Sequence, residues 1–342
     1  MSDLTTHPKE IQKAILRDIR SRLIEVQSAT KAELMEKLGV SFPTISKFIS
    51  QMEKSGEIIL TGMDESNGGR RAKRYTYNPE YMLGLAILLE RKESHYTIFN
   101  CKGEILEQGQ TSSVLTGELQ DLVQQIEHII SRNPKIRSVA IGVPGVVHHG
   151  RILYIPDYEQ FQNLDIKSYL EERLPVSVVV ENDMNAAVLG YQYNRRRQDR
   201  PSLIYLYFGQ NGPGSGIMIN GELVRGSSFF AGEVSFIPLY DHCNFQQALS
   251  AEGDQHQPHA QSKRVDAISR LIAAFTAIVN PHTIIFTKDE VNRALLIQIA
   301  EQSKTYIPKE NLPELTASDW TQDYLVGLQT LGIGIMISES HN

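Results

Sequence analysis

The sequence has few cysteines and no long apolar run. Cys101 and Cys243 are the two cysteines among 342 residues, too few for a disulfide framework, which fits a reducing compartment. No apolar run approaches the roughly 20 residues needed to cross a bilayer, and the segment MSDLTTHPKE lacks the apolar core of a secretion signal. We therefore expect a cytoplasmic protein with no membrane partner. A hydrophobic share of 41% allows a large core, and the length favours two or three domains.

Acidic residues outnumber basic residues overall, but the two signs are unevenly distributed. The net charge of −6 argues against a chain that coats nucleic acid along its whole length. Residues 1–80 hold 13 Lys and Arg against 11 Asp and Glu, whereas the remainder holds 21 against 29. The sharpest basic concentration is Arg70, Arg71, Lys73 and Arg74. These four residues suit either a nucleic-acid contact or a solvated turn.

Three helices are predicted in the first sixty residues. The segment 8–23 has apolar residues close to helical spacing. Thr30 and Glu33 form a capping-box pattern at the start of a second helix, and Gly39 suits its end. A third helix is expected over about 42–54. The apolar stripes comprise Ile11, Ala14, Ile15, Ile19 and Leu23 on the first helix, and Ile45, Phe48, Ile49 and Met52 on the third.

The second and third helices, with the hairpin that follows, have the composition of a DNA-reading module. Two short helices joined by a tight turn suit the major groove when the second helix has small hydrogen-bonding residues near its start. The segments GEIILTG, SNGGRRAKR and RYTYN predict a two-stranded wing whose tip can reach phosphates or the minor groove. The alternative is a small helical dimerisation module with a hairpin. The expected DNA contacts are Ser41, Thr44, Ser46, Lys47, Arg70 and Arg71.

The rest of the chain contains one pattern of elements twice. YMLGLAILLE, HYTIFN and EILEQGQ predict three consecutive strands, followed by a helix near 118–131 and the strand SVAIGV. A second series begins at SLIYLYF, continues through the hairpin GIMINGELV, and ends with the helix DAISRLIAAFTAIV and the strand TIIFT. Two facing α/β lobes form a cleft, which is a usual place for a small ligand.

Seven segments together resemble one known family. They are SFPTISKFISQMEKSGEI, NGGRRAKRYTYNPEYMLGL, AIGVPGVV, PVSVVVENDMNAAVLGY, GPGSGIMINGELVRG, AGEVSF and VNPHTIIF. In combination they resemble the ROK family of bacterial sugar kinases and transcriptional repressors, in particular its repressor branch. The resemblance implies an α/β fold with an N-terminal winged helix-turn-helix, followed by a two-lobed, ribonuclease-H-like domain of the actin and hexokinase type. The expected domains are 1–79 and 80–342, with lobes of approximately 80–200 and 201–342.

The phosphate-handling positions depart from the kinase pattern of that family. The resemblance places an Asp-x-Gly-type loop at 86–90, where this sequence reads AILLE and ends in the negative charge of Glu90. Thr287 and Lys288 stand in place of a Gly-Gly pair on the adenine side. Each lost preorganised donor costs about 2.7–4 kcal/mol of transition-state stabilisation. We therefore expect no kinase activity and no nucleotide cofactor. The glycines retained in the second phosphate loop, interpreted as shaping the next hairpin, are Gly212, Gly214 and Gly216.

The zinc site of that family is also altered. The resemblance implies a histidine after Gly-Glu-x-Gly and a Cys-x-Cys-x4-Cys cluster, but Phe236 replaces the histidine and the cluster retains only Cys243. His242, His256 and His259 lie nearby in the sequence. Zinc needs four well-placed nitrogen or sulfur ligands, so no metal site is expected.

The turn VENDMN follows a buried strand and offers polar groups to a sugar. In the family's kinases the aspartate that matches Asp183 is the general base for a sugar hydroxyl. Asn182, Asp183, Glu233 and Gly145 are therefore the candidate sugar contacts, since carboxylates accept hydrogen bonds from hydroxyls. The alternative is that Asp183 or Asn182 only caps the following helix.

Together these features predict a sequence-specific repressor of carbohydrate genes whose kinase-like domain is inactive and senses a sugar. Its expected partners are a double-stranded DNA operator, a sugar or sugar derivative, and further copies of the chain in a homodimer or homotetramer. Two alternatives remain open. One is an active sugar kinase with a fused DNA-binding domain, and the other is a DNA-binding protein that responds to no ligand.

Overall fold

The computed structural model describes residues 8–64, 71–90, 93–113, 115, 117–155, 158–195, 200–209, 212–250 and 258–338. Within these residues, three helices and a small sheet come first. The helices are α1 (Pro8–Val26), α2 (Lys31–Leu38) and α3 (Phe42–Ser55), and the strands, paired in the order β1-β3-β2, are β1 (Ala29–Thr30), β2 (Ile58–Met63) and β3 (Lys73–Tyr77).

Local sequence signals set the boundaries of α2 and the buried face of α3. The Thr30–Glu33 capping box is present at the start of α2, and Gly39 ends the helix at φ 64°, a conformation that favours glycine. All four residues expected on the α3 stripe are buried. On α1 the prediction is wrong at its first member, because Ile11 is 47% exposed. The buried part of the helix begins only at Ile19, since the first two turns extend beyond the core of the module.

The first lobe is a five-stranded mixed sheet with helices on its faces. Its strand order is β11-β7-β4-β5-β6, in which β4, β7 and β11 are parallel and β5 and β6 are antiparallel. A small sheet of β8, β9 and β10 lies beside it. The elements are β4 (Leu83–Leu89), β5 (Glu93–Asn100), β6 (Ile105–Ser112), α4 (Leu119–Arg132), β7 (Ile136–Val143), β8 (Val146–His148), β9 (Arg151–Tyr154), β10 (Leu164–Asp165), α5 (Ile166–Glu171), β11 (Ser177–Asn182) and α6 (Asp183–Arg195).

The second lobe repeats that topology. Its strand order is β14-β13-β12-β17-β18, with β12, β17 and β18 parallel and β13 and β14 antiparallel. The twofold repeat expected from the sequence is therefore confirmed. The elements are β12 (Leu203–Tyr207), β13 (Gly214–Ile219), β14 (Glu222–Leu223), β15 (Pro238–Tyr240), β16 (Cys243–Asn244), α7 (Phe245–Ser250), α8 (Pro258–Ile278), β17 (Thr283–Thr287), α9 (Arg293–Ser303), β18 (Glu314–Ser318) and α10 (Trp320–Ser338).

Helices α6 and α10 pack between the two sheets. Their shared core contains Ala140 of the first sheet and Ile285 of the second. The helices approach closely through glycine, because a Cβ on Gly327 would lie 1.9 Å from the carbonyl oxygen of Ala186. The start of α6 is thereby fixed at the boundary of the lobes. Within the described part of the chain, no helix is long and apolar enough to span a membrane.

Candidate functional site

The turn between β11 and α6 places Asn182 and Asp183 side by side at the boundary of the lobes. Asn182 Oδ1 accepts a hydrogen bond of 2.9 Å from the N–H of Asn185, and Asn182 Nδ2 donates to the carbonyl oxygen of Gly145 at 3.0 Å. Asn182 is therefore the cap of α6 and also ties that helix to the loop after β7. Gly145 contributes its backbone here, and a Cβ at that position would lie 2.2 Å from the carbonyl oxygen of Tyr154.

Asp183 is buried, with one carboxylate oxygen engaged. Its Oδ1 accepts hydrogen bonds from the Met184 N–H at 2.8 Å and from Asn182 Nδ2 at 3.1 Å. Among the described residues, Oδ2 has no hydrogen-bond partner. Burial raises the pKa of Asp183 from 3.8 to about 7, and the carboxylates of Glu233 and Glu90 add to the rise. One oxygen of Asp183 is therefore without a hydrogen-bond partner in the described part of the chain, and its pKa of about 7 lies near neutral pH.

Glu233 supplies a second carboxyl group to the same cleft. It precedes a 3-10 turn, Val234–Phe236, and desolvation raises its pKa. The Ser235 hydroxyl donates to the carbonyl oxygen of Pro213 at 2.6 Å, which anchors the turn to the start of β13. Glu233 contributes to the raised pKa of Asp183, so the two carboxyl groups lie near enough to interact. A ligand with several hydroxyl donors suits this pair.

Glu181 and Arg225 form an ion pair that no local sequence pattern predicts. The Arg225 guanidinium donates to Glu181 Oε2, while Glu181 Oε1 accepts hydrogen bonds of 3.0 Å from Asn182 N and from Asn185 Nδ2. Glu181 is buried, whereas the Arg225 side chain is 36% exposed. This pair joins the β11–α6 turn to the loop after β14, and so fixes the position of one lobe relative to the other at the cleft.

These residues line one cleft between the lobes, with a cavity volume of about 350 Å³. That volume falls in the range of small-ligand sites. All four sequence-predicted sugar contacts line it, and so do residues that sequence reasoning missed. The latter had no local signal, because they come from separate strands, loops and a helix that only the fold brings together. They are Tyr154, Tyr207, Arg225, Phe229 and Gln246.

Acidic side chains lie close to the ends of β4 and β12. Glu90 is half-buried at the end of β4, and burial raises its pKa. At the end of β12, the Glu290 carboxylate accepts hydrogen bonds of 2.9 and 3.0 Å from the backbone N–H of Phe208. That N–H is therefore already engaged by an anion. A phosphate at either place would meet negative charge.

The retained glycines of the second loop serve packing. A Cβ on Gly216 would lie 2.1 Å from the carbonyl oxygen of Met184, so this glycine lets β13 approach the start of α6. Gly212 has φ 90° and turns the chain into β13. Gln210 and Asn211, just before it, lie outside the described residues.

The region of the family's zinc site has a different environment. Cys243 is half-buried and packs against the core of the second lobe. His242 is exposed beside it. In the part of the chain that was described, no group of three or more His, Cys, Asp and Glu residues could hold a metal ion. His256 and the side chain of His259 lie outside that part.

The predicted DNA-facing residues of α3 lie at its exposed start. The hydroxyls of Ser41 and Thr44 are 2.9 Å apart, and Lys47 is exposed one turn further on. Ser46 is half-buried and accepts a hydrogen bond of 2.9 Å from Lys31 Nζ. Lys31, at the start of α2, therefore adds a basic group that sequence reasoning missed.

The basic residues of the hairpin differ in their contacts, since some form ion pairs within the N-terminal module and Arg71 does not. Arg74 binds Asp64 at 2.8 Å and Glu33 at 2.9 Å, and so ties the hairpin to α2. Lys73 lies 3.6 Å from Glu53 of α3. Arg71 is exposed and has no ion pair within the described ranges. Arg70, its neighbour, lies outside them.

A buried ion pair joins the N-terminal helices to the last helix of the chain. The Arg20 guanidinium of α1 donates to the Glu57 carboxylate, and Arg20 NH1 donates to the carbonyl oxygen of Ile337 at 3.1 Å. The Tyr77 hydroxyl donates to the same glutamate at 3.3 Å. Met336 lies in the same core as the N-terminal helices. The end of α10 is thus part of the core of the N-terminal module.

Comparison with known proteins identifies the two-lobed part. The family model of ROK proteins matches residues 86–246. The chain carries a ROK family domain. A xylose repressor from Bacillus spizizenii is 26% identical over 250 residues, which cover 70% of this chain and 63% of that protein. A xylose repressor from Caldicellulosiruptor bescii is 26% identical over 256 residues, covering 72% and 62%. The chain thus spans less than two thirds of the length of these curated relatives.

Kinases share the ROK domain as well. A β-glucoside kinase from Listeria monocytogenes is 32% identical over 118 residues, which cover 34% of this chain and 40% of that enzyme. Among solved structures, a ROK family transcriptional regulator homologous to the E. coli MLC protein has a TM-score of 0.74 at 17% identity, covering 97% of this chain and 100% of that chain. A ROK hexokinase from Thermus thermophilus has a TM-score of 0.59 at 17% identity and covers 74% of this chain and 97% of that chain. These likenesses confirm the expected α/β, sugar-kinase-like fold.

Proposed function

We propose that this protein is a sugar-responsive transcriptional repressor that binds DNA through a winged helix-turn-helix at 1–79 and senses a sugar in its ROK domain at 80–342. One combination carries the proposal. The same chain contains α3, whose N-terminal end is exposed, polar and basic, and a cleft in which the carboxyl groups of Asp183 and Glu233 can accept hydrogen bonds from hydroxyls. The xylose repressors that match about 70% of this chain support the same function.

On the DNA side, α3 would enter the major groove with its N-terminal turn leading. Ser41, Thr44 and Ser46 offer hydroxyls for bases or phosphates, and Lys47 offers a charge to the backbone. Arg71 and its neighbour Arg70 would anchor the hairpin as a wing. Specific binding requires two half-sites, so we propose that the repressor acts as a homodimer or homotetramer.

On the sugar side, Asp183 and Glu233 would accept hydrogen bonds from ring hydroxyls. Asn182 and the backbone at Gly145 hold the turn that carries Asp183 in place. The bound sugar would thus donate a hydrogen bond to the Asp183 oxygen that has no partner. Because the carboxylate is already held in place, this contact costs little entropy.

The chain also has a physical connection between the two sites. Helix α6 begins at Asp183 and packs closely along α10, which ends in the core of the N-terminal module beside Arg20. A sugar that shifts the start of α6 would move α10 against α1, and thereby change the spacing of the two reading helices in an oligomer. Couplings of about 1–3 kcal/mol are typical of such systems and are enough to switch operator occupancy.

We further propose that the ROK domain is catalytically inactive. Glu90 stands where the resemblance locates the Asp-x-Gly-type phosphate loop of the kinases, and phosphoryl transfer relies on donors and cations at such a place. Because β-glucoside kinases are among the similar proteins, sugar-dependent kinase activity is the alternative to test. ADP release should stay at background with xylose, glucose and cellobiose, and release that depends on a sugar and on Asp183 would refute inactivity.

DNA binding is tested by finding bound promoter fragments and measuring their salt-dependent affinity. Lys47→Ala and Arg70→Ala should each weaken binding and lower the slope of log K against log salt by about 1, since each removes one phosphate contact. Lys309→Ala makes the same charge change on an exposed position of the ROK domain and should have no effect. Unchanged affinity in both DNA-facing variants would reject the assigned faces.

The sugar response is tested on the same fragments. A thermal-shift screen with sugars and sugar phosphates should show stabilisation by a sugar, and that sugar should change operator affinity. Asp183→Asn should abolish both effects and leave DNA binding without sugar intact. Stabilisation by no sugar at high excess would support a ligand-independent DNA-binding protein instead.

A further inference from the structure

The mouth of the sugar cleft exposes aromatic rings that a single sugar at its floor does not need. Phe236 is 58% exposed and Tyr154 is 46% exposed, and both line the cleft together with Phe229. Phe230 is 50% exposed and its ring centroid lies 5.3 Å from that of Phe236. Contiguous exposed apolar surface next to a polar cleft marks a ligand-binding groove. The cleft therefore has a polar floor and an aromatic mouth.

The exposed position of Phe236 is imposed by well-packed neighbours. It ends the 3-10 turn whose first residue, Val234, is buried in the second-lobe core and whose second, Ser235, is held by Pro213. Its backbone N–H donates to the carbonyl oxygen of Glu233 at 3.3 Å. The backbone of Phe236 is thus held close to Glu233, whose carboxyl group would bind a sugar. A preorganised contact of this kind costs little entropy on binding.

The two lobes both contribute aromatic surface. Tyr154 ends β9 of the first lobe, whereas Phe229 and Phe236 belong to the second. Phe229 has φ 62°, which is unfavourable for a bulky residue, and its ring centroid lies 4.0 Å from that of His148 in the first lobe. The loop from Arg225 to Glu233 therefore brings aromatic rings to the mouth and touches the opposite wall. Such aromatic faces can stack on a flat, apolar-faced group.

Charge restricts the ligand further. Among the described residues that line the cleft, Arg225 is the one Lys or Arg, and it is bound to Glu181. Asp183 and Glu233 add negative charge at the floor. A phosphate or carboxylate on the ligand would find no unengaged cation there. The ligand is accordingly an uncharged carbohydrate.

We propose that the mouth is a second sugar subsite, formed by Phe236 and Tyr154, and that the effector is an uncharged disaccharide or longer glycoside. This inference rests on the proposed sugar-sensing function and specifies its ligand class. One ring binds at Asp183 on the floor, which is 9% exposed, and the next ring extends outward and stacks on Phe236. A monosaccharide fills only the floor.

The test is isothermal titration of the full-length protein with two matched pairs, xylose with β-1,4-xylobiose and glucose with cellobiose. Stacking on one ring is worth about three- to tenfold in affinity, so one disaccharide should bind at least about threefold more tightly than its monosaccharide. Phe236→Ala should remove this preference and leave the monosaccharide affinity unchanged. Phe236→Tyr should retain it, and Phe236→Leu, which keeps apolar bulk without a ring, should lose most of it. Ile278→Ala, at a residue 83% exposed on α8, is the control for loss of an exposed apolar side chain.

Several results would overturn the inference. The inference would be wrong if each disaccharide bound with the same affinity as its monosaccharide. It would also be wrong if Phe236→Ala weakened monosaccharide and disaccharide binding equally. A smaller oligomer of Phe236→Ala in light scattering would show that the rings bind another copy of the chain instead. Disaccharide binding that needs Asp183 but not Phe236 would reject the second subsite alone. Binding of no sugar would reject the proposed function together with it.

Discussion

Replacing Asp183 by asparagine should stabilise the protein at neutral and alkaline pH. The variant keeps the shape of the side chain and an oxygen that can accept from the Met184 N–H, but it cannot ionise. The pKa of Asp183 is raised from 3.8 to about 7, chiefly by burial. The folded protein therefore binds more protons than the unfolded chain between these two values. By linkage, the free energy of unfolding of the wild type falls as pH rises through this window.

The size of the effect follows from that window. At about 1.4 kcal/mol per pH unit, the interval from 3.8 to about 7 sets a ceiling of about 4 kcal/mol for the advantage of Asp183→Asn at pH 8. At pH 3.5 the two proteins should be nearly equally stable, because Asp183 is then mostly protonated in the folded and in the unfolded state. The assay is urea unfolding at half-unit steps from pH 3.5 to 8.

Asp165→Asn is the control of opposite sign. Hydrogen bonding from the Ser168 backbone N–H and the charge of Arg151 lower the pKa of Asp165. The Asp165 carboxylate therefore stabilises the folded protein above pH 3.8, and this stabilisation is lost as the pH falls through the folded-state pKa. Asp165→Asn should be less stable than the wild type at neutral pH and equally stable in strong acid. A stability difference for Asp183→Asn that does not change between pH 3.5 and 8 would refute the reasoning about burial.

Three further predictions follow from the same structure. If a sugar binds only the ionised form of Asp183, the Kd of that sugar should rise about tenfold for each pH unit below about 6. Calorimetric titrations at several pH values measure this, and a Kd that does not change with pH would contradict it. Arg20→Met leaves Glu57 buried without its cation and should cost about 3–5 kcal/mol in urea unfolding, whereas the double change of both residues to Met should recover most of the loss. Gly327→Ala pushes a methyl group into the backbone of α6 and should lower the free energy of unfolding by about 1–3 kcal/mol. Gly334→Ala has open space around it and should stabilise α10 by about 0.5–1 kcal/mol. Equal effects of the two changes on the melting temperature would count against the close helix contact.

Elements with strong local signals could be predicted from the sequence. The caps of α2 and the buried stripe of α3 depend on residues three or four positions apart, which any reader of the chain can see. The repeated strand pattern of the lobes depends on β-branched runs and the Asn220–Gly221 turn. The segment carrying Asp183 could be located, but the sequence left open whether it caps a helix or faces a ligand. In the structure, Asn182 is the cap, and Asp183 lines the cleft.

Contacts between distant residues could not be predicted. Arg20 lies next to Ile19 on α1, and nothing in its neighbourhood indicates a buried ion pair with Glu57 or a bond to Ile337. Arg225 likewise follows an ordinary hairpin, and its partner Glu181 lies 44 positions earlier. Long-range pairs of this kind depend on which surfaces the fold brings together.

The sequence by itself determined the local helices and strands, the order of the lobes and the loss of the phosphate and zinc motifs, since each of these depends on residue type and short spacing. Tertiary structure alone decided the role of α10. The segment WTQDYLVGLQTLGIGIMIS is apolar on all sides and contains three glycines, so it has neither an amphipathic period nor a high helix propensity. It is a helix because two sheets and α6 pack against it, and the burial of most of its residues outweighs their weak propensity.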